Sequence, residues 1–225
     1  HAHFRAAALA RSLLVVDEVH ASDEFMSEAL RYVLRNHVAL GGHALLLSAT
    51  LGADARVRLL DLTGLTPPPP LAEAEATPYP ALWGSASGLI AIPGSKREKR
   101  VTIEPAPIIG DPDAIAARAV EAARAGASVL VVRNSVNGAV AVARAIEALA
   151  PEFAFRVNGV ATLHHGRFAT EDRKLLDEAV EAVLGKGRSA KGRILVGTQT
   201  LEQSLDIDAD ILITDLAPID VLLQR

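Results

Sequence analysis

LLVVDEVH, residues 13–20, is the stretch whose reading decides the fold. Four apolar residues, two of them β-branched, end in a pair of carboxylates, Asp17 and Glu18. A short continuous apolar run of this kind reads as a fully buried strand of a parallel sheet. Ligands of open α/β sheets bind just beyond the carboxyl ends of the strands, so the two acids emerge where such folds do chemistry. Phosphate hydrolysis needs one carboxylate to hold Mg²⁺, usually through water, and a second group to orient the attacking water. Adjacent strand residues point to opposite sides, which lets a strand-end pair divide those tasks. The alternative is that Asp17 and Glu18 merely open a solvated loop, with Asp23 and Glu24 soon after.

A second apolar run, ALLLSAT (44–50), ends in small hydroxyl residues. It lies one βα unit after the first, and consecutive units tend to lie side by side. Ser48 and Thr50 can therefore share a crevice with Asp17, Glu18 and His20, or they can simply cap the following helix. Between the two runs, Phe25, Met26, Ala29, Leu30, Val33 and Leu34 recur at helical spacing, and Gly41-Gly42 ends the helix. Residues 1–11 read as helical, and residues 53–62 as a short helix closed by Gly64.

The pattern changes at TPPPP (66–70), and up to about Arg100 repeated Pro and Gly break any periodicity. This stretch reads as a connector with a hairpin around 88–104, ending in a basic cluster at Lys96, Arg97, Lys99 and Arg100. A second α/β unit follows. Asp111 with Pro112 opens a helix in the favoured arrangement, and Gly126 stops it. SVLVVRN (128–134) is a strand, and Ser135 starts a helix that Pro151 ends. Thr170 is expected to cap the helix carrying Leu175, Leu176, Ala179, Val180 and Val183. RILVGTQ (193–199) and DILITDL (210–216) are strands. Strands alternating with helices predict α/β architecture with mainly parallel sheets. The domain reading is 1–64, a connector over 65–100, and 101–225.

Composition sets bounds. The chain has 225 residues, half of them apolar, and no cysteine. Disulfides and thiolate metal sites are excluded, which fits a reducing cytoplasm. No apolar run approaches the roughly 18 residues of a membrane span, so no membrane association is expected. A net charge of −4 neither points to nucleic acid nor excludes it, because a local groove can be basic on an acidic protein. The only methionine is Met26, and the sequence stops in what reads as a helix, so a segment of a longer protein is expected.

Together the motifs resemble a family. DEVH and SAT resemble motifs II and III of superfamily 2 helicases of the DExH type. VLVVRNSV (129–136) is similar to motif IV, GTQTLEQSLDID (197–208) to motif V, and ILITDLAPIDVLLQR (211–225) to the approach to motif VI. DEVHASDEFM, LHHGRF (163–168) and EQSLDID narrow the resemblance to the CRISPR-associated helicase–nuclease of type I systems. The resemblance implies two RecA-like lobes, the first incomplete at its N-terminus, with ATP between them and single-stranded DNA across their tops. It implies Mg²⁺ held by Asp17, water positioned by Glu18 and coupling through His20, Ser48 and Thr50. It puts Arg133, Asn134 and Thr198 on the DNA backbone, and Asp206, Gln224 and Arg225 near the nucleotide. A CRISPR guide-RNA surveillance complex is the implied partner.

Two features depart from that pattern. No G-x-x-x-x-G-K-[ST] phosphate loop occurs anywhere in the sequence, and GKGRSAKG (185–192) has the wrong spacing. No HD-type nuclease cluster is present either. The segment by itself is therefore expected not to hydrolyse ATP. His164-His165 reads as a structural pair rather than a metal site, since no cysteine or clustered carboxylate completes one. Two rival readings stand beside the first: another DExH translocase acting in restriction, repair or RNA unwinding, or a non-hydrolysing nucleic-acid-binding remnant.

Overall fold

A computed structural model describes residues 7–19, 24–85, 87–93, 100–185, 192–202, 205 and 207–225. The described residues fall into two compact units. One comprises His1–Val101 with Ile219–Gln224, the other Thr102–Pro218 with Arg225.

In the first unit, strand β1 (Leu13–Val16) pairs in parallel with β2 (His43–Leu46), Leu13 opposite His43 and Val16 opposite Leu46. Helix α1 (Glu24–Ala39) makes the crossover and packs on β2. Gly41, at φ 84°, takes the left-handed conformation that ends it. The residues expected to cap α1, Ser22 and Asp23, lie outside the described residues. Helix α2 (Ala53–Leu60) follows, then α3 (Leu71–Glu75) and a hairpin of β3 (Ala81–Gly84) with β4 (Gly88–Ala91). The hairpin comes earlier than expected. Its turn falls before Gly88, at φ 68°, because glycine tolerates that backbone freely.

The expectation of fully buried strands fails here. Leu13 is 58% exposed and Val15 52%, while Leu14 and Val16 are half-buried. Among the described residues the parallel sheet of this unit has two strands, with α1 as its crossover helix, and the outward side chains of β1 stay exposed. The apolar run marks a strand with two coverable faces, and this unit covers one.

The second unit covers both. Strands β5 (Val129–Val132), β8 (Ile194–Gly197) and β9 (Ile211–Thr214) form a parallel sheet in the order β8-β5-β9. Helix α4 (Pro112–Arg124) starts at Asp111, whose side chain accepts from the Ala114 amide. Helix α5 (Val136–Leu149) starts at Ser135, whose hydroxyl accepts from the Gly138 amide. Both caps fall on the expected residues. α4 and α5 cover one face, where Val129, Val131, Ile194 and Val196 meet Ile115, Val120, Val142 and Ile146. Helix α6 (Thr170–Leu184) covers the other, where Leu130, Val132 and Leu195 meet Leu176, Val180 and Leu184. Alternate residues of each strand thus feed two cores. Thr170 is the first residue of α6 rather than its cap: the capping position is Ala169, without a side-chain bond. Between α5 and α6, a two-stranded turn of β6 (Arg156–Val157) and β7 (Val160–Ala161) precedes a segment that bridges to β8 at His164. Helix α7 (Ile219–Gln224) follows β9.

Candidate functional site

The carboxyl end of β1 lies beside that of β2. Beyond the strands proper, the Leu47 amide donates to the Val16 carbonyl and the Val19 amide donates to the Leu47 carbonyl. Asp17 and Glu18 occupy the two positions between those rungs, so they emerge next to Leu47 and Ser48. Both acids are exposed. The Asp17 carboxylate accepts from the Glu18 amide at 2.9 Å. Glu18 holds φ 55°, a left-handed backbone that a residue with a side chain rarely adopts. Strain of this kind concentrates where geometry serves chemistry. Nearby, the Ser48 hydroxyl accepts from the Thr50 amide at 3.3 Å. The Thr50 hydroxyl is buried with no hydrogen-bond partner among the described residues. An orphaned buried hydroxyl calls for an explanation, and a partner that arrives with a ligand or a neighbouring segment supplies one. His20 lies outside the described residues.

Mg²⁺ suits this edge. It keeps several waters and takes one or two protein carboxylates plus substrate phosphates, rather than a dedicated protein cage. The absence of a group of three or more ligating side chains among the described residues is therefore compatible with the donor set at Asp17.

The corresponding edge of the second unit is organised by a residue the sequence reading passed over, Asp215. Its carboxylate receives Nε of Arg133 at 2.8 and 3.0 Å on its two oxygens, and the Asn134 amide at 2.8 Å. A further Arg133 nitrogen donates to the Ile109 carbonyl at 2.7 Å. Arg133 is 7% exposed. The guanidinium expected at a DNA phosphate is here engaged inside the unit by Asp215 and Ile109, and extracting it from a low-dielectric ion pair is costly. Asn134 is exposed, but its side-chain amide donates to the Leu216 carbonyl and its oxygen accepts from Arg225. Thr198 is buried, its amide donating to the His164 carbonyl.

Arg225 is likewise closed in. It donates to Glu202 at 2.7 Å, to the Thr214 hydroxyl at 2.5 Å and to the Asp215 carbonyl at 3.1 Å, and its side chain is 1% exposed. With Asn134 Oδ1 as a further acceptor at 3.1 Å, these bonds hold the Arg225 guanidinium against the carboxyl ends of β9 and β5. Asp206 and the side chain of Gln224 lie outside the described residues. Asp215 carried a legible signal: ILIT-Asp repeats the LLVV-Asp pattern of an apolar strand ending in an acid.

His164 is fully buried and bonded at both ring nitrogens, to Asp177 at 2.7 Å and to the Thr200 hydroxyl at 2.8 Å. Its neighbour His165 stacks on Phe168 with centroids 4.3 Å apart. Partial burial, opposed by a local backbone hydrogen bond, lowers the pKa of His165, and the charges of Arg167 and His164 add to the lowering. The reading of the pair as structural agrees with these contacts.

Comparison with known proteins gives these edges a context. A family model described as CRISPR-associated nuclease/helicase Cas3, C-terminal, matches residues 125–225. The CRISPR-associated endonuclease/helicase Cas3 of Escherichia coli (strain K12) is 37% identical over the whole chain, which covers 26% of that protein. That of Thermus thermophilus is 33% identical, again over the whole chain and 28% of the relative. Crystal structures of T. fusca Cas3 with AMPPNP and with ATP superpose at TM-scores of 0.78 and 0.77, at 25% identity over the whole chain and 27% and 28% of theirs. A structure of a CRISPR RNA-guided surveillance complex, pre-nicking, superposes at 0.69. The chain spans about a quarter of the length of these relatives. Its mixed helix–strand units with parallel sheets match the RecA-like lobes of those structures.

Proposed function

Because this chain corresponds to a helicase-region segment of the Cas3 CRISPR-associated nuclease/helicases, we propose that it forms part of an ATP-dependent motor that moves along single-stranded DNA in CRISPR interference. One observation carries the chemical part: the β1–β2 register sets Asp17 and Glu18 beside Ser48, with Glu18 held in a left-handed backbone. T. fusca Cas3 has been crystallised with ATP, ADP and AMPPNP, which supports a nucleotide at this edge. Asp17 would hold Mg²⁺ through water, and the ion would neutralise charge on the transferring phosphoryl group. Glu18 would orient the attacking water, and Ser48, Thr50 and His20 would transmit the state of the nucleotide. Asp206 and Gln224 would lie toward the nucleotide. Arg225 would act through Glu202 and Asn134 rather than on phosphate.

DNA would run along the carboxyl edge of β5 and β8. Arg133 and Asp215 fix the two loops beneath it. Exposed Asn134 and Gln199, with part-buried Thr200, present polar groups there. Such contacts hold a backbone without reading its bases. A surveillance complex carrying guide RNA would deliver the strand, as the solved assembly that resembles this chain suggests.

The test is Glu18→Gln in a protein that includes the remaining helicase sequence. ATP turnover should fall by about a thousandfold or more, some 4 kcal/mol of barrier, while ATP binding stays near wild type. Undiminished DNA-stimulated turnover would sink the assignment.

A further inference from the structure

The segment around His164 adds one more strand end to the edge of the second unit. His164 bridges to Gly197 in parallel, its amide donating to the Val196 carbonyl and its carbonyl accepting from the Thr198 amide. The chain therefore leaves the sheet on the same side as β8 does. The loop that follows lies against Thr200: a Cβ on Gly166 would come 3.4 Å from the Thr200 methyl. His165, Arg167 and Phe168 are thus carried to the edge where Gln199 and Thr200 stand.

Two rings in this loop are stacked in a fixed order. Phe168 packs on the core under α6. His165 lies on Phe168, with centroids 4.3 Å apart and 13° between the planes. The Arg167 amide donates to Nδ1 of His165 at 3.2 Å. That bond sets the rotation of the ring and leaves the proton of its neutral form on Nε2. Burial, with the charges of Arg167 and His164, favours the neutral form. Both rings are half-buried, so the stack still reaches solvent. Arg167 is exposed, and its guanidinium has no partner among the described residues.

Proteins that hold single strands combine aromatic rings for the bases with cations for the backbone. Every base has a π-face, so such a contact tolerates any sequence. A ring already fixed by a neighbour also loses little freedom when a ligand covers it. Phe168 supplies that support from the core side, and Arg167 supplies the cation one residue before it. We propose that His165, seated on Phe168, is a stacking platform for one unpaired base of the strand, with Arg167 against an adjoining phosphate. The edge then holds the strand in two ways: polar groups after β5 and β8 along its backbone, and a flat ring beside them under a base.

The inference rests on the single-strand reading above, and the experiment separates the two. Binding to the full-length protein is measured by anisotropy with two labelled strands of equal length. One is oligo-dT, and the other carries abasic tetrahydrofuran spacers in place of its nucleosides. His165→Ala should weaken oligo-dT binding about fivefold or more, the equivalent of one lost stacked base, and leave the abasic strand unchanged. His165→Phe keeps a flat ring while removing both nitrogens, so it should retain the wild-type affinity for oligo-dT. A structural role of the histidine predicts no such rescue and no difference between the strands. Arg167→Ala should weaken both strands alike and lower the salt slope by about 0.7, the share of one phosphate on a single strand. An equal loss on both strands in His165→Ala, no loss on either, or failure of His165→Phe to rescue would overturn the platform while leaving strand binding in place. An unchanged salt slope in Arg167→Ala would overturn the phosphate contact. No oligo-dT binding by wild type would overturn the single-strand reading and the platform with it.

Discussion

LLVV at 13–16 and VLVV at 129–132 are nearly the same words, and they sit in opposite surroundings. In β5 all four residues are buried, whereas in β1 burial alternates with wide exposure. Both strands pair in parallel with a neighbour and both end in polar residues at the carboxyl edge. What differs is cover. β5 is the central strand of three, with α4 and α5 on one face and α6 on the other. β1 has one neighbouring strand and one packed layer among the described residues. A run of apolar residues therefore specifies a strand able to be buried twice, and the burial it reaches depends on what else is folded around it.

The two strand ends carry the sharpest form of this contrast. Asp215, after β9, is 8% exposed and paired with Arg133, while Asp17, after β1, is exposed. Removing one partner of a buried pair strands the other charge, at a cost of about 3–5 kcal/mol. Asp215→Ala should lose about that much stability in the second unit, and Asp17→Ala less than about 0.5 kcal/mol in the first. Amide exchange of β5 and β8 reads the former, and fluorescence of Trp83, the only tryptophan, reads the latter. Equal small losses would mean that the Arg133–Asp215 pair contributes no more than a surface contact.

A smaller contrast is expected among the apolar residues themselves. Leu195 in β8 is 1% exposed and packs into the core under α6. Truncation to alanine there should cost about 2–5 kcal/mol through lost transfer energy and a residual cavity. Leu13→Ala, at a wide-open position, should fall within about 0.5 kcal/mol. Slow amide exchange along β1, matching that of β5, would show that the first sheet is covered after all and would erase the comparison.

The sequence was most readable where local chemistry alone decides. Asp111 before Pro112, Ser135 and Gly126 each did what their side chains or lack of one require, and the periodic stripes found α1, α4, α5 and α6. It was least readable where a distant residue decides. Arg133 and Asn134 follow an apolar strand and so read as donors at a ligand edge. Only the fold brings Asp215, 82 positions away, against Arg133. The same holds for His164, whose partners lie 13 and 36 residues downstream. Spacing along the chain identifies which end of a strand faces chemistry. It does not say whether a polar group there is still available once the neighbouring strand has arrived.

The smallest expected effect tests how the first unit holds together with so little buried interior. Arg56, on α2, places its guanidinium 4.0 Å from the centre of the Trp83 ring on β3. The contact ties the hairpin to α2. Burial lowers the pKa of Arg56, with the charge of Glu73 opposing that shift, and the guanidinium stays protonated across any ordinary pH. Its attraction to the ring should therefore be independent of pH and weakly screened by salt. A cation over tryptophan contributes about 0.5–1 kcal/mol when partly exposed. Arg56→Met keeps most of the apolar stem while removing the charge, so it should cost about that much in the Trp83 transition and change the tryptophan emission of the folded state. Exchange in β5 and β8 should be unmoved. A loss of several kcal/mol would instead make this contact the chief support of the first unit, and the contrast between an open unit and a closed one would have to be redrawn around it.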